Sequence, residues 1–174
     1  MSDTATRTLA LRHERPWLEH LALYRDLFSD PAVAAALWPG ALGGPRSKAQ
    51  VADMLNSDIC HWEERQFGPW VFFERATGVF VGRGGLCRAT LAGAECVEVA
   101  YAVRPDAWGR GYATEMARAA IAEGRRLGFD ELLGVAATTN LASRRVLEKA
   151  GVRIEATVEH TGLPHWLGRV RLML

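Results

Sequence analysis

The sequence lacks an apolar run of the roughly 20 residues that a membrane-spanning helix needs, so we expect no membrane partner. Its first residues, Met-Ser-Asp-Thr-Ala-Thr-Arg, contain no apolar core of a signal peptide. Cysteine is scarce, and Cys60, Cys87 and Cys96 have neither metal-ligand nor redox spacing. We therefore predict buried, reduced thiols, no bound metal and a cytoplasmic protein.

An excess of charge of one sign is also missing. The 21 basic residues nearly balance the 20 acidic ones, and no sustained basic run occurs. This balance excludes nucleic acid as the main partner. The 174 residues are 49% hydrophobic, which is ordinary for a globular protein with a sizeable core. With no repeat or low-complexity linker, we expect one domain over residues 1–174.

Apolar periodicity predicts an α/β protein of the α+β type with a mixed sheet. A helix between two strands near the middle predicts one parallel crossover, whereas the flanking strands read as antiparallel hairpins. The predicted helices cover residues 18–28, a short segment after 29–31, 51–62 behind a capping box at 47–50, 113–127 and 143–150. The predicted strands are 8–12, 68–75, 79–87, 95–103, 132–136, 153–159 and 169–174.

A glycine-rich turn within residues 104–115, RPDAWGRGYATE, joins the predicted strand ending at 103 to the helix at 113–127. Gly109 and Gly111 have no Cβ, and free N–H groups at a helix N-terminus favour an anion. The turn therefore indicates a phosphate-binding loop. Alternatively, the glycines only permit the backbone conformation that a turn between a strand and a helix requires. Glu115 lies in the first turn, where we expect it to cap the helix.

Two segments carry a resemblance to a known family: 98–115, EVAYAVRPDAWGRGYATE, and 140–151, NLASRRVLEKAG. Together they resemble the GNAT superfamily of acyl-CoA-dependent N-acetyltransferases, and most of all the branch with the ribosomal-protein N-terminal acetyltransferases RimJ and RimL. The superfamily's acetyl-CoA motif, Gln/Arg-x-x-Gly-x-Gly/Ala, corresponds to residues 108–113, with Trp108 at its first position. The resemblance implies the GNAT fold: a mostly antiparallel central sheet with one splayed parallel strand pair and flanking helices.

The resemblance also implies acetyl-CoA as co-substrate. Backbone N–H groups of the glycine turn would bind its pyrophosphate, and Arg104 and Arg110 would either add charge or stay solvated. The strand edge at Val103 would pair with the pantetheine arm, and an N–H near Tyr101 or Ala102 would polarise the thioester carbonyl. The implied cofactor-binding residues are Tyr101, Val103, Arg104, Trp108, Gly109, Arg110, Gly111, Tyr112, Ala113, Thr114, Asn140 and Ser143.

Glu98 is the first candidate for the base that deprotonates an amine acceptor, because it matches an acidic position on this strand in the RimL-like branch. Alternatively it is an exposed strand residue or binds substrate without taking a proton. His160 and His165 are further possible bases. Many superfamily members have a tyrosine where this sequence has Leu147, which donates no proton. Ser143 is then the candidate donor to the CoA thiolate, although serine also suits a helix start, as does Asn140.

The identity of the acyl acceptor is the least determined part of the predicted function. Glu63 and Glu64 would attract a cationic amine or simply form a solvated helix face. The predicted function is N-acetyltransfer to a protein N-terminus or a small-molecule amine; the alternative is a non-catalytic acyl-CoA-binding or sensing domain. A monomer and a homodimer both remain open. The candidate acceptor-lining residues are Trp38, Trp62, Trp70, His160, His165 and Trp166.

Overall fold

A seven-stranded mixed sheet forms the centre of the protein in the computed structural model, which describes residues 9–40 and 43–172. Neighbouring strands are antiparallel except for the fourth and fifth, which run parallel as predicted. Across the sheet the order is β1-β2-β3-β4-β5-β7-β6. The strands are β1 (Leu11–Glu14), β2 (Pro69–Glu74), β3 (Phe80–Leu91), β4 (Ala94–Val103), β5 (Glu131–Ala137), β6 (Arg153–His160) and β7 (Leu163–Arg171).

Helices cover both faces of this sheet. The described residues form α1 (Leu21–Phe28), α2 (Pro31–Leu37), α3 (Lys48–Arg65), α4 (Tyr112–Arg126) and α5 (Leu141–Ala150). The capping box predicted for α3 is present, because the Gln50 N–H donates to Ser47 and the Ser47 N–H donates to the Gln50 side chain. No described helix is long and apolar enough to cross a bilayer.

The two faces of β4 support two separate cores, since successive strand residues point to opposite sides. Val99 packs with Ile121 of α4 and Leu147 of α5. Ala102 packs with Leu27 and Phe28 of α1 on the other face. The position of Glu98 in β4 places it on the Ala102 face, together with the helices α1 to α3.

The bounds of β1, β3 and β7 differ most from prediction. The structure places β1 at 11–14 rather than 8–12, because these four residues pair with β2 between Val71 and Glu74; Thr8 lies outside the described residues. β3 extends to Leu91, beyond the predicted end at 87, and turns through Ala92 (φ 49°) and Gly93 (φ 79°). β7 begins at Leu163 rather than 169, and residues 173 and 174 lie outside the described range.

The cysteine prediction needs one correction. Cys60 is exposed on α3, whereas Cys87 and Cys96 are partly buried. Helical periodicity explains the difference, because the buried positions of α3 are Val51, Leu55, Asp58 and Trp62, and Cys60 lies between the last two.

The parallel pairing between β4 and β5 is short, and its early end separates the two strands. β4 and β5 are in register at Glu98 and Leu133 and at no later position of either strand as described. Both strands nevertheless continue, β4 to Val103 and β5 to Ala137. Their carboxyl-terminal halves therefore lie apart, which is the expected splay.

Glu115 ties the first strand to α4, contrary to its predicted role as a cap. Its carboxylate accepts hydrogen bonds from the backbone N–H groups of Leu11 (2.8 Å) and Ala10 (3.3 Å). α4 instead begins at Gly111, which has a left-handed conformation and provides no side-chain cap. The first-turn N–H groups of this helix thus lack a capping side chain.

We expect Glu115→Ala to lower the free energy of unfolding by about 1–2 kcal/mol, because two backbone donors lose their acceptor. Urea unfolding followed by circular dichroism measures the change. Glu148→Ala is the control, since Glu148 forms only an exposed pair with Arg144 one turn away in α5 and should cost no more than about 0.5 kcal/mol. Equal losses in the two variants would contradict the proposed tie.

Candidate active site

Two cavities meet where β4 and β5 separate. The first, about 520 Å³, lies beside the glycine turn and α5. The second, about 390 Å³, lies between the separated strands and the turn that joins β6 to β7. A molecule in one cavity is therefore adjacent to a molecule in the other. The residues that line both cavities are Ala36, Leu37, Tyr101, Asn140 and Ser143.

The first cavity gathers most of the residues predicted to bind the cofactor. Arg104 and Arg110 are the exceptions: Arg104 pairs with Asp106 at 3.0 Å, and Arg110 lies 3.8 Å from Glu74. The predicted residues that do line it are Tyr101, Val103, Trp108, Gly109, Gly111, Tyr112, Ala113, Thr114, Asn140 and Ser143.

Positive charge reaches the first cavity from α5 instead. Arg145 and Lys149 both line it, and the sequence analysis missed them. Their spacing of four residues on α5, behind the helix-opening asparagine, is the signal that would have identified a shared basic face.

The glycine turn has room for an anion beside the start of α4. Gly109 and Gly111 have φ values of 76° and 81°, which favour glycine. A Cβ built at either position would have no protein atom within 4 Å. The uncapped helix terminus, the open space beside both glycines and the two nearby cations of α5 fit a diphosphate such as that of CoA.

Trp108 has a structural role that accounts for its place in the glycine turn. Its indole Nε1 donates a hydrogen bond to the Val103 carbonyl at 2.8 Å. The indole thereby fixes the turn against the end of β4, while its ring remains about half exposed, at 49%. This contact uses a carbonyl on the strand edge where the pantetheine arm was expected to pair.

A pair of hydroxyl groups lies at the junction of the cavities. Tyr101 Oη is 2.9 Å from Ser143 Oγ and also donates to the Ser143 carbonyl at 3.0 Å. Burial raises the pKa of Tyr101 above its usual value, so the phenol stays protonated at neutral pH. From the sequence, a role was predicted only for the Tyr101 backbone and not for its side chain as a donor.

Asn140 and Leu147 have mainly structural roles. The Asn140 side chain accepts from the Ser143 N–H (3.0 Å) and donates to the Ala36 carbonyl (3.1 Å), so it caps α5 and attaches it to α2. Leu147 is fully buried in the core and lines neither cavity. Its methyl groups pack on Gly134, where an added Cβ would approach to 2.7 Å.

Glu98 lines the second cavity at the position of β4 that is in register with β5. Burial raises the pKa of its carboxyl to about 7, and the guanidinium of Arg83 opposes the rise. That guanidinium is itself held by Asp58 through contacts of 2.5 and 2.8 Å, and Tyr24 Oη donates to the same carboxylate at 2.7 Å. Glu98 can therefore gain or lose a proton near neutral pH.

The other acceptor candidates separate into two groups. Trp38, His160 and His165 line the second cavity, and the two imidazoles meet at 5.3 Å between ring centroids. Arg46, which the sequence analysis did not single out, lines it as well. The remaining candidates do not line the second cavity. Trp62 and Trp70 are buried in one hydrophobic core, and Trp166 packs against the core that contains Val99. Glu63 and Glu64 are exposed at the end of α3.

The sequence profile of the acetyltransferase (GNAT) domain family matches residues 12–153, most of the chain. The protein belongs to the GNAT acetyltransferase family. It is therefore an acyl-CoA-dependent N-acetyltransferase by family. The predicted GNAT fold, with its splayed parallel pair, is confirmed.

The chain is also similar to individual known proteins. YkkB, an uncharacterised protein of Bacillus subtilis, is 28% identical over 84% of this chain and 83% of its own length. A crystal structure of the acetyltransferase from Agrobacterium tumefaciens has a TM-score of 0.79 at 21% identity, covering 95% of this chain and 92% of that one. RimL, a ribosomal L7/L12 alpha-N-protein acetyltransferase in complex with coenzyme A, has a TM-score of 0.72 at 14% identity, covering 95% and 96%.

The raised pKa of Glu98 predicts that the native protein loses stability as the pH rises. An unfolded glutamate has a pKa of about 4.3, so between that pH and about 7 the unfolded chain releases a proton that the native carboxyl keeps. We expect the stability advantage of Glu98→Gln over the native protein to be about 2 kcal/mol larger at pH 8 than at pH 5. Urea unfolding at both pH values measures it. Glu95→Gln, an exposed substitution on the same strand, is the control for the loss of one carboxylate.

The glycine turn gives a second prediction. Gly111→Ala should weaken CoA binding about ten-fold or more, because the methyl group enters the space beside the helix N–H groups and displaces an anion from them. Gly128→Ala is a matched control at the other end of α4: its φ is 76°, and its Cβ would also have no protein atom within 4 Å. Both variants carry a similar backbone strain of roughly 1–3 kcal/mol. Calorimetric titration with CoA compares them, and equal affinities would exclude a phosphate site at Gly111.

Proposed function

We propose that this protein transfers the acetyl group of acetyl-CoA directly to a primary amine, either on a small molecule or at a peptide N-terminus, within a ternary complex. The observation behind the proposal is the junction of two cavities at Tyr101, Asn140 and Ser143, with Glu98 on the acceptor side. Acetyl-CoA supplies an acetyl thioester, whose carbon the amine attacks and whose CoA thiolate leaves. The residues provide binding, orientation and proton transfer, without a covalent enzyme intermediate.

The first cavity is proposed as the CoA site. The first-turn N–H groups of α4 would bind the pyrophosphate, with Arg145 and Lys149 adding positive charge from α5. The edge of β4 beyond Glu98 would orient the pantetheine arm, because β5 no longer pairs with it. A backbone N–H near Tyr101 or Ala102 would then donate to the thioester oxygen, on which negative charge develops during attack.

Glu98 is proposed as the general base. A free α-amine titrates near ~8 and a lysine amine near ~10, so the acceptor arrives mostly protonated and must lose a proton. A carboxyl with a pKa of about 7 matches an α-amine better than an ordinary glutamate does, because proton transfer is most efficient between groups of similar pKa. His160 and His165 line the same cavity and are the second choice for this role.

Tyr101 and Ser143 are proposed to stabilise the departing thiolate. Their hydroxyl groups share a hydrogen bond, so one can donate outward while the other replaces the proton. This pair would supply, from β4 and α5 together, the hydroxyl that Leu147 lacks. A catalytic protein is therefore favoured over a non-catalytic acyl-CoA sensor.

The overall proposal is tested by offering labelled acetyl-CoA to a pool of peptides with free N-termini and to a pool of small primary amines. Mass spectrometry then finds the acceptor of the label, while calorimetry on the same sample establishes CoA binding. Label on an amine supports the proposal and distinguishes the RimL-like peptide acceptor from a small molecule. Binding of CoA without transfer to either pool would instead support the sensing alternative.

We expect Ser143→Ala and Tyr101→Phe each to reduce kcat about 10- to 100-fold while changing the dissociation constant of CoA less than two-fold. The reason is that each removes a hydroxyl needed when the thiolate leaves, not when the cofactor binds. Ser57→Ala, an exposed substitution on α3, is the control and should retain full activity. An unchanged kcat at saturating substrates in both test variants would remove the assigned role.

A further inference from the structure

His165 lies in the wall of the second cavity and is almost wholly buried, with 7% of its surface exposed. Its Nδ1 donates a hydrogen bond to the Leu163 carbonyl at 2.9 Å, since a carbonyl oxygen can only accept. With the proton on Nδ1, the neutral imidazole carries a lone pair on Nε2. The contact with Leu163 therefore makes Nε2 of His165 a hydrogen-bond acceptor.

The Nε2 atom of His165 is open to the second cavity. No described residue forms a hydrogen bond with this atom. In the described part of the chain, Nε of Arg169 is the only enclosed side-chain nitrogen or oxygen that lacks a partner, so Nε2 of His165 is reached from the cavity that its ring lines. A ligand that displaces water from Nε2 must donate to it or leave it unpaired, which is costly.

The turn between β6 and β7 brings a second imidazole beside His165. It consists of Thr161 (φ 53°) and Gly162 (φ 78°), and Thr161 Oγ1 donates to the His160 carbonyl at 2.6 Å. A positive φ is unusual for a β-branched residue and persists only where the surrounding structure fixes it. The His160 ring meets the His165 ring almost at a right angle, at 88°. His165 is thus held by the Leu163 carbonyl and by contact with His160.

Glu98 and His165 lie on the same face of the sheet but at different positions along the strands. Glu98 is in register with Leu133, and His165 is in register with Ala137, four residues further along β5. Residues four apart on a strand share a face and lie about 13 Å from each other. An acceptor whose amine faces Glu98 therefore reaches His165 with a group that is several bonds away from the amine.

A hydroxyl is the group that suits Nε2 of His165. Glu98 is the only carboxylate among the described residues that line the second cavity, and the reacting amine takes it. A second ammonium would enter the cavity without a carboxylate of its own, so desolvation disfavours it. A hydroxyl donates a hydrogen bond without carrying a charge. The volume of about 390 Å³ is near the small end of ligand pockets and suits a compact molecule.

We infer that the acceptor is a small hydroxylated primary amine, whose amine faces Glu98 while its hydroxyl, several bonds away, donates to Nε2 of His165. This inference rests on the proposed function, because it assigns the second cavity to the acceptor. It identifies His165 as a residue that determines acceptor specificity. Diamines and amines without a hydroxyl group are then poor ligands.

Binding of matched amines tests the inference without acetyl transfer. The purified protein is titrated calorimetrically with tyramine and phenethylamine, with 6-amino-1-hexanol and hexylamine, and with 1,6-diaminohexane. We expect at least one hydroxylated amine to bind about ten-fold or more tightly than its partner without the hydroxyl. Loss of a hydroxyl makes an amine more apolar, which would by itself favour burial, so a preference for the hydroxylated amine reports the hydrogen bond.

Two substitutions of His165 assign that preference to its side chain. His165→Leu should bring the ratio of the two affinities close to one, because leucine accepts no hydrogen bond. His165→Gln should restore part of the ratio, since its amide oxygen can accept one. His20→Leu is the matched control: His20 is as deeply buried, at 5% exposed, but lines neither cavity, so the ratio should be unchanged. Circular dichroism verifies the fold of each variant.

The outcomes separate this inference from the proposed function. Equal affinity within both matched pairs, tighter binding of 1,6-diaminohexane, or no binding of either hydroxylated amine would overturn the inference, even if acetyl transfer to another amine occurs. A preference that persists in His165→Leu would also overturn it. A preference for the hydroxylated amine that depends on His165 would support it, even if no acetyl group is transferred. The comparison on the native protein needs no variant, so it decides the matter if His165→Leu does not fold.

Discussion

The early end of pairing between β4 and β5 is the constraint on which the rest of the site depends. Two parallel strands that stayed paired to their ends would close the sheet and leave no junction between the cavities. Because registration stops at Glu98 and Leu133, the later part of β4 keeps an open backbone edge. The same early end of pairing leaves Glu98 where the two strands separate, in the lining of the second cavity and close to the place proposed for the thioester.

Two opposing effects, burial and the nearby guanidinium of Arg83, determine the pKa of Glu98. A buried carboxyl beside an unpaired guanidinium would be ionised at all ordinary pH values. Arg83 is instead paired with Asp58, which also accepts a hydrogen bond from Tyr24, so its pull on Glu98 is only a partial correction to desolvation. The resulting pKa of about 7 reflects burial of the carboxyl, opposed by the guanidinium of Arg83 on β3.

Sequence patterns predicted the parts of this molecule that local chemistry determines. The capping box at Ser47, the glycine turn and the crossover helix all have short-range signals, and the splayed sheet followed from the family resemblance. Arg46 and the Tyr101 hydroxyl escaped prediction because tertiary packing alone gives them their positions. The prediction that Glu115 caps α4 was wrong for the same reason. A first-turn glutamate usually caps its own helix, but here the N–H donors come from a distant strand.

The walls of the two cavities differ in origin, and this difference bears on how the family diversifies. The first cavity, which is proposed to bind CoA, is lined largely by β4, the glycine turn, α4 and α5. Because β4, α4 and α5 also supply residues of the buried cores, changes of their buried residues destabilise the protein. The second cavity, which is proposed to bind the acceptor, also draws on Trp38, on Arg46 and on the turn between β6 and β7, which lies at an edge of the sheet. On the proposed assignment, mutation at these positions can alter acceptor choice while leaving the donor site intact.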